Sequence, residues 1–180
     1  MKFLKANLWL LALATLTLPA CLQAPEYSDT PVISLNSITA TRLDTRLGTR
    51  DTVIITLDWR DGDGDLGLDD TDTEPPFNPE TSPGVSNPFY NNYFVQFQVR
   101  RGSAPFKDTI IGSADSYNGR FFRLGKSERA EALRGTLNRG FAFFQGSFPP
   151  ATDVRFKIYI LDRKLNQSNT ITTESFFVKD

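Results

Sequence analysis

Four stretches of period-two alternation commit this chain to β-sheet. Ile33 and Leu35 begin the pattern, and Val53, Ile55, Leu57 and Trp59 follow, with Thr52, Thr56 and Asp58 between them. Val95, Phe97 and Val99 alternate with Gln96, Gln98 and Arg100, and Val154, Phe156, Ile158 and Ile160 alternate with Arg155 and Lys157. In an extended chain successive side chains point to opposite faces, so each stretch has one apolar and one polar face, as in a half-buried strand. Fifteen phenylalanines supply bulky core residues of high strand preference. A last strand is expected over about 170–178. The polar segment Asp162–Asn169 joins it to the preceding strand, and so short a connection makes the two antiparallel.

One segment reads as helix: Ser127 can cap it, Glu128 to Arg134 favour it and Gly135 can stop it. Leu137, Phe141, Phe143 and Phe144 then place a strand over 135–145, broken near Asn138 to Gly140. With six or seven strands and no strand–helix–strand alternation, residues 31–180 are expected to form a single all-β domain. Its architecture is an antiparallel β-sandwich of the immunoglobulin or fibronectin III kind. The irregular part is the connection 61–92, which carries prolines from Pro75 to Pro88 and has no periodicity, so it reads as a long loop, functional or disordered, without regular structure. Trp59 falls on an inward strand position and reads as core. Arg100 and Arg101 read as a strand end.

The first twenty residues differ in kind. Lys2 and Lys5 are their only charges, and an apolar stretch of eleven residues runs from Leu8 to Leu18. That layout is a signal peptide's, and the stretch falls short of the roughly 20 residues that span a bilayer. It ends in Leu18-Pro19-Ala20-Cys21, which resembles the lipobox of bacterial lipoproteins, with proline an uncommon occupant of its second place. The resemblance implies cleavage before Cys21, a diacylglycerol on its thiol and an acyl chain on the new amino terminus. Cys21 is the only cysteine, so lipidation also accounts for a lone thiol in a secreted chain, and the domain has no disulfide. Residues 21–30 then form a polar, lipidated tether to the bilayer. Leu22 lacks the aspartate associated with inner-membrane retention, which favours the outer membrane.

Loss of residues 1–20 removes two lysines and no acid, leaving 18 basic and 21 acidic residues and a net charge of −3, which excludes a nucleic-acid footprint. The acid is concentrated in Asp61-Gly-Asp-Gly-Asp-Leu-Gly-Leu-Asp-Asp-Thr-Asp72. Aspartates at alternate positions of a tight turn can converge on one cation, and hard carboxylate oxygens suit Ca²⁺. Asp61, Asp63, Asp65, Asp69 and Asp72 are therefore candidate ligands, the last two falling at offsets 9 and 12 of the count. Leu66 at offset 6, aspartate rather than glutamate at offset 12 and a leading strand all depart from the helix–loop–helix calcium loop. The run is closer to calcium loops set between strands of extracellular β domains. The alternative is a solvated turn made by aspartate and glycine.

Thr56-Leu-Asp-Trp-Arg-Asp-Gly-Asp-Gly-Asp-Leu-Gly-Leu68, together with Asp162-Arg163, Asn166-x-Ser168-Asn169 and Ile171-Thr-Thr-Glu174, resembles signatures of uncharacterised lipoproteins of the Bacteroidota. The resemblance implies a surface or periplasmic lipoprotein with a β-sandwich, and no known activity. The chain has no histidine and no cysteine beyond position 21, which removes histidine-dependent triads and cysteine nucleophiles. The reading is a non-catalytic structural or accessory module of the cell envelope, with an envelope protein or glycan as partner. A second reading is a glycan or peptide binder using Phe77, Phe89, Tyr90 and Tyr93 of the 75–94 segment, against the plainer expectation that these rings cover an end of the sandwich. A hydrolase working through paired carboxylates is the third.

Overall fold

The computed structural model describes residues 26–46, 48–112, 117–123, 131–144 and 146–178. The expected cleavage site, Cys21 and most of the tether lie outside them. The described residues form an all-β antiparallel sandwich. One sheet is made of β1 (Val32–Thr45), β2 (Gly48–Asp61) and β7 (Leu133–Phe144), in the order β1-β2-β7. The other contains β5 (Tyr93–Arg100), β6 (Lys107–Thr109), β8 (Thr152–Ile160) and β10 (Phe176–Val178), in the order β10-β8-β5-β6, with β9 (Ile171–Thr172) also pairing with β8.

Alternation decides which side chains meet between the sheets. Val53, Ile55, Leu57 and Trp59 of β2 and Val154, Phe156, Ile158 and Ile160 of β8 are all buried in one core, as the sequence pattern requires. Phe97 lies edge-on to Phe156 at 5.3 Å and to Phe143 at 5.8 Å, an arrangement that sets a ring's positive edge against its neighbour's negative face. Burying a ring of this size contributes on the order of 2–3 kcal/mol from apolar area alone.

The structure corrects two expectations. Leu133 and Arg134, read as the end of a helix, are the first residues of β7, which continues without a break through Asn138 to Gly140 and pairs with β2 from Arg50↔Phe144 to Asp61↔Leu133. Residues 124–130, the rest of the expected helix, lie outside the described residues. The connection 61–92 also contains regular structure: a hairpin of β3 (Glu80–Ser82) and β4 (Val85–Ser86), then a 3-10 turn at Pro88–Tyr90. Asn87 organises this part. It is buried, its Oδ1 accepts from Phe89 N at 3.0 Å, and its Nδ2 donates to Pro76 O at 2.7 Å and Asn78 O at 2.8 Å. One amide thus satisfies backbone groups on both sides of the β3–β4 hairpin.

Candidate metal centre

Where β2 ends, Asp61 is still paired with Leu133 of β7 and is fully buried. The chain then turns sharply through Gly62 to Gly67. Gly62 N donates to Ser28 O at 2.8 Å, and a Cβ on Gly62 would stand 2.4 Å from Tyr27 O. Gly67 has φ +95°, and its Cβ would stand 2.3 Å from Phe122 O. Glycine is required here both for the bend and because neighbouring backbone presses on the turn from two sides. Between these glycines Leu66 enters the core, bridging to Asp162.

The turn collects the carboxylates of Asp61, Asp63 and Asp65, with one oxygen from each lying within 4.8 Å of the others. Two oxygens bound to one Ca²⁺ at about 2.4 Å stand no farther apart than about 4.8 Å, so the cluster fits a single ion. The hydrogen bonding points the same way. Asp61 Oδ2 accepts from Asp65 N at 3.0 Å, but Oδ1 of Asp61, Asp63 and Asp65 are all shielded from water and have no hydrogen-bond partner. Orphaned oxygens on three neighbouring carboxylates are costly unless a cation faces them.

The hairpin 162–169 closes the site from the other side. Asp162 is buried, and its Oδ1 accepts from Lys164 N at 2.9 Å and Asn166 N at 2.7 Å, while Oδ2 accepts from Asn166 Nδ2 at 2.8 Å. The Lys164 ammonium reaches Asp63 from an exposed position. The Arg163 backbone N–H reaches Asp65, but its side chain is committed elsewhere. Its Nη2 donates to Asp72 Oδ1 at 2.8 Å and its Nη1 to Asp72 Oδ2, a two-pronged pair. Asn169 fastens the same hairpin to β1, accepting from Ile33 N and donating to Ile33 O, both at 2.9 Å. Two motifs about a hundred residues apart in the chain therefore build one structure.

Asp69 and Asp72 are not part of the cluster. Asp72 is held by Arg163, which keeps its carboxyl below the usual range, and exposed Asp69 offers its backbone N–H to Asp72 Oδ2 at 2.7 Å and its carbonyl to Arg120 Nη2 at 2.9 Å. Gly67 turns the chain away before either residue can wrap around an ion. The aromatic candidates separate as well. Phe77 and Tyr93 are buried, Phe89 is exposed, and Tyr90 lies beneath the Arg120 guanidinium at 4.6 Å. They do not form a common platform. Asp162, whose hairpin lies beside the aspartate turn, was read with Asn166 and Asn169 as part of a polar hairpin and of a signature shared with the turn, but not as a neighbour of the cluster; that closeness has no local sequence signal.

Comparison with known proteins returned nothing similar: no family model, no curated protein and no solved structure matches the chain.

Electrostatics give the centre a pH signature. Burial, then the charges of Asp63 and Asp65, push the Asp61 carboxyl up to about 7, and burial, then Asp162 and Asp63, push Asp65 up to about 6. Both start from an ordinary value of 3.8, so between about pH 4 and 7 the folded state binds more protons than the unfolded chain. Their contribution to stability is thus fully present below about pH 4 and is lost as the pH rises through 6 and 7. In chelator, the melting temperature is expected to fall from pH 5 to pH 8. Melting curves at the two pH values check this, and an equal or higher midpoint at pH 8 would mean that these carboxyls are not shielded.

Proposed function

We propose that this chain is an outer-membrane lipoprotein of the cell envelope, anchored through acyl groups on Cys21. Its sandwich is a non-catalytic structural or accessory module held rigid by one Ca²⁺ on Asp61, Asp63 and Asp65. The observation that carries the cation reading is the convergence of three carboxylates, one oxygen of each within the span that one ion allows, together with a shielded, unpartnered Oδ1 on every one of them. Backbone carbonyls or water would complete the six to eight oxygens that Ca²⁺ takes. When bound, the ion supplies charge neutralisation and ties β2 to the turn that meets the 162–169 hairpin. Glycoside hydrolysis fits poorly, because a fully buried Asp61 carboxylate is out of reach of a sugar. The strand order β1-β2-β7 against β10-β8-β5-β6, with the chain crossing between sheets after β2, supports a fibronectin III-like sandwich.

Equilibrium dialysis with calcium tests the reading. One ion per chain is expected for the parent, with magnesium a poor competitor and binding abolished in Asp61→Asn/Asp63→Asn. Absence of saturable binding up to millimolar calcium would refute the cation site and leave the turn as a purely structural element.

A further inference from the structure

A second site lies on the open flank of the sandwich, away from the aspartate turn. Between β7 and the segment 117–123 is a hollow of about 280 Å³, lined by Arg120, Phe121, Phe122, Leu137, Asn138 and Arg139 around Tyr93. The segment is held in place by Asn92, whose Oδ1 accepts from Phe121 N at 2.9 Å and whose Nδ2 donates to Phe121 O at 3.2 Å, and by the backbone pairing of Tyr93 with Gly119. The hollow is thus a feature of the fold rather than a gap under a loose loop.

Arg139 is its anomaly. On β7 it shares the inward phase of Leu137, Phe141 and Phe143, a place the rest of the strand gives to core residues. The guanidinium is half-buried, 5.9 Å from the Tyr93 ring centre and 5.7 Å from that of Phe141, and a Cβ on Gly119 would come within 2.4 Å of its Nη2. No carboxylate among the described residues pairs with it. Its Nε and the Tyr93 hydroxyl are both shielded from water without a hydrogen-bond partner, and Tyr93 is 1% exposed. A cation in such a position loses solvation and gains no anion, unless an anion comes from outside.

We infer that this hollow is a binding site for a small organic carboxylate with an apolar ring, the carboxylate on Arg139 and the ring against Phe121, Phe122 and Leu137. The volume, at the lower end of the range for small-molecule sites, accommodates one ring and its acid group but no chain of residues. The lining matches that division, with aromatic and aliphatic side chains beside a few convergent polar groups. The inference is independent of the calcium centre, which shares none of these residues.

The test is calorimetric titration of the purified full-length protein with phenylacetate, acetate and 2-phenylethanol. Phenylacetate is expected to bind about tenfold or more tighter than either of the others, since acetate lacks the ring and the alcohol lacks the charge that Arg139 reads. Arg139→Met should weaken phenylacetate about tenfold and leave 2-phenylethanol unchanged, with a melting curve to establish that the variant is folded. Phe122→Ser, at an exposed side chain outside the core, is the second variant and should weaken phenylacetate without altering the melting temperature. Equal binding of acetate or of the alcohol, unchanged affinity in both variants, or no binding at 10-fold molar excess over about 1 mM would overturn the site.

Discussion

Calcium at a hundred times its dissociation constant should stabilise the native protein by about 2.7 kcal/mol, because the cluster of Asp61, Asp63 and Asp65 exists only in the folded chain. For a domain of this size that is a rise of roughly 5–10 °C in melting temperature. The control is sodium chloride at matched ionic strength. Three repelling acids in a solvated turn are calmed equally well by any screening salt, whereas a coordinating site responds to the divalent ion at far lower concentration. In Asp63→Asn/Asp65→Asn the calcium response should vanish. In chelator, however, this variant should melt no lower than the parent, since the substitution removes like charges next to a buried carboxylate. That combination separates lost coordination from damaged folding. If the parent melts identically in chelator and in calcium, the cation reading is wrong.

The second large effect concerns the anchor. Cys21→Ser removes the only thiol in the chain, and with it the proposed site for the diacylglycerol. Two or more acyl chains hold a protein on a bilayer durably, while one alone gives marginal, reversible binding, so loss of both lipid additions should move essentially all of the processed protein to the soluble fraction. Fractionation with acyl labelling measures this directly. Unaltered sedimentation with membranes in the serine variant would show that another part of the molecule holds it there.

Strands buried by strict alternation were legible from the sequence, and the reasons others were not are local. In β1 the register shifts between Leu35 and Ser37, so Ile38 takes the inward phase against Ile55 and the pattern that starts at Ile33 is lost after two turns of the pleat. In β7 the inward positions include Gly135 and Arg139, which interrupt the apolar rhythm and invite a break, while Glu128 to Arg134 have good helix propensity. Twelve residues of pairing with β2 override that preference at Leu133 and Arg134. Gly135 stands where the Trp59 ring lies, a Cβ there coming within 2.8 Å of it, so the residue that looked like a helix stop makes room for a core side chain. At the aspartate turn, alternate spacing placed Asp61, Asp63 and Asp65 together, and in the structure their carboxylates do cluster. Asp69 and Asp72, the next residues of the count, stand apart from that cluster because Leu66 is drawn into the core and Gly67 redirects the backbone, and because Arg163 claims Asp72 from a hairpin distant in sequence.

The contact between Ser28 and Gly62 sets the length of a leash. If the lipid is on Cys21, residues 22–27 separate it from Ser28, whose carbonyl accepts from Gly62 N. Seven steps from one Cα to the next span at most about 25 Å fully extended. The aspartate turn therefore cannot stray farther than that from the membrane surface, and it is the end of the sandwich held down. The opposite end, where Thr45 pairs with Gly48, would then face outward into the space that a partner would have to approach through. Anionic lipid headgroups concentrate divalent cations within a Debye length of the surface, about 8 Å at physiological salt. An aspartate turn tethered so closely would sample the ion concentration of the bilayer's own double layer as well as that of the bulk solution.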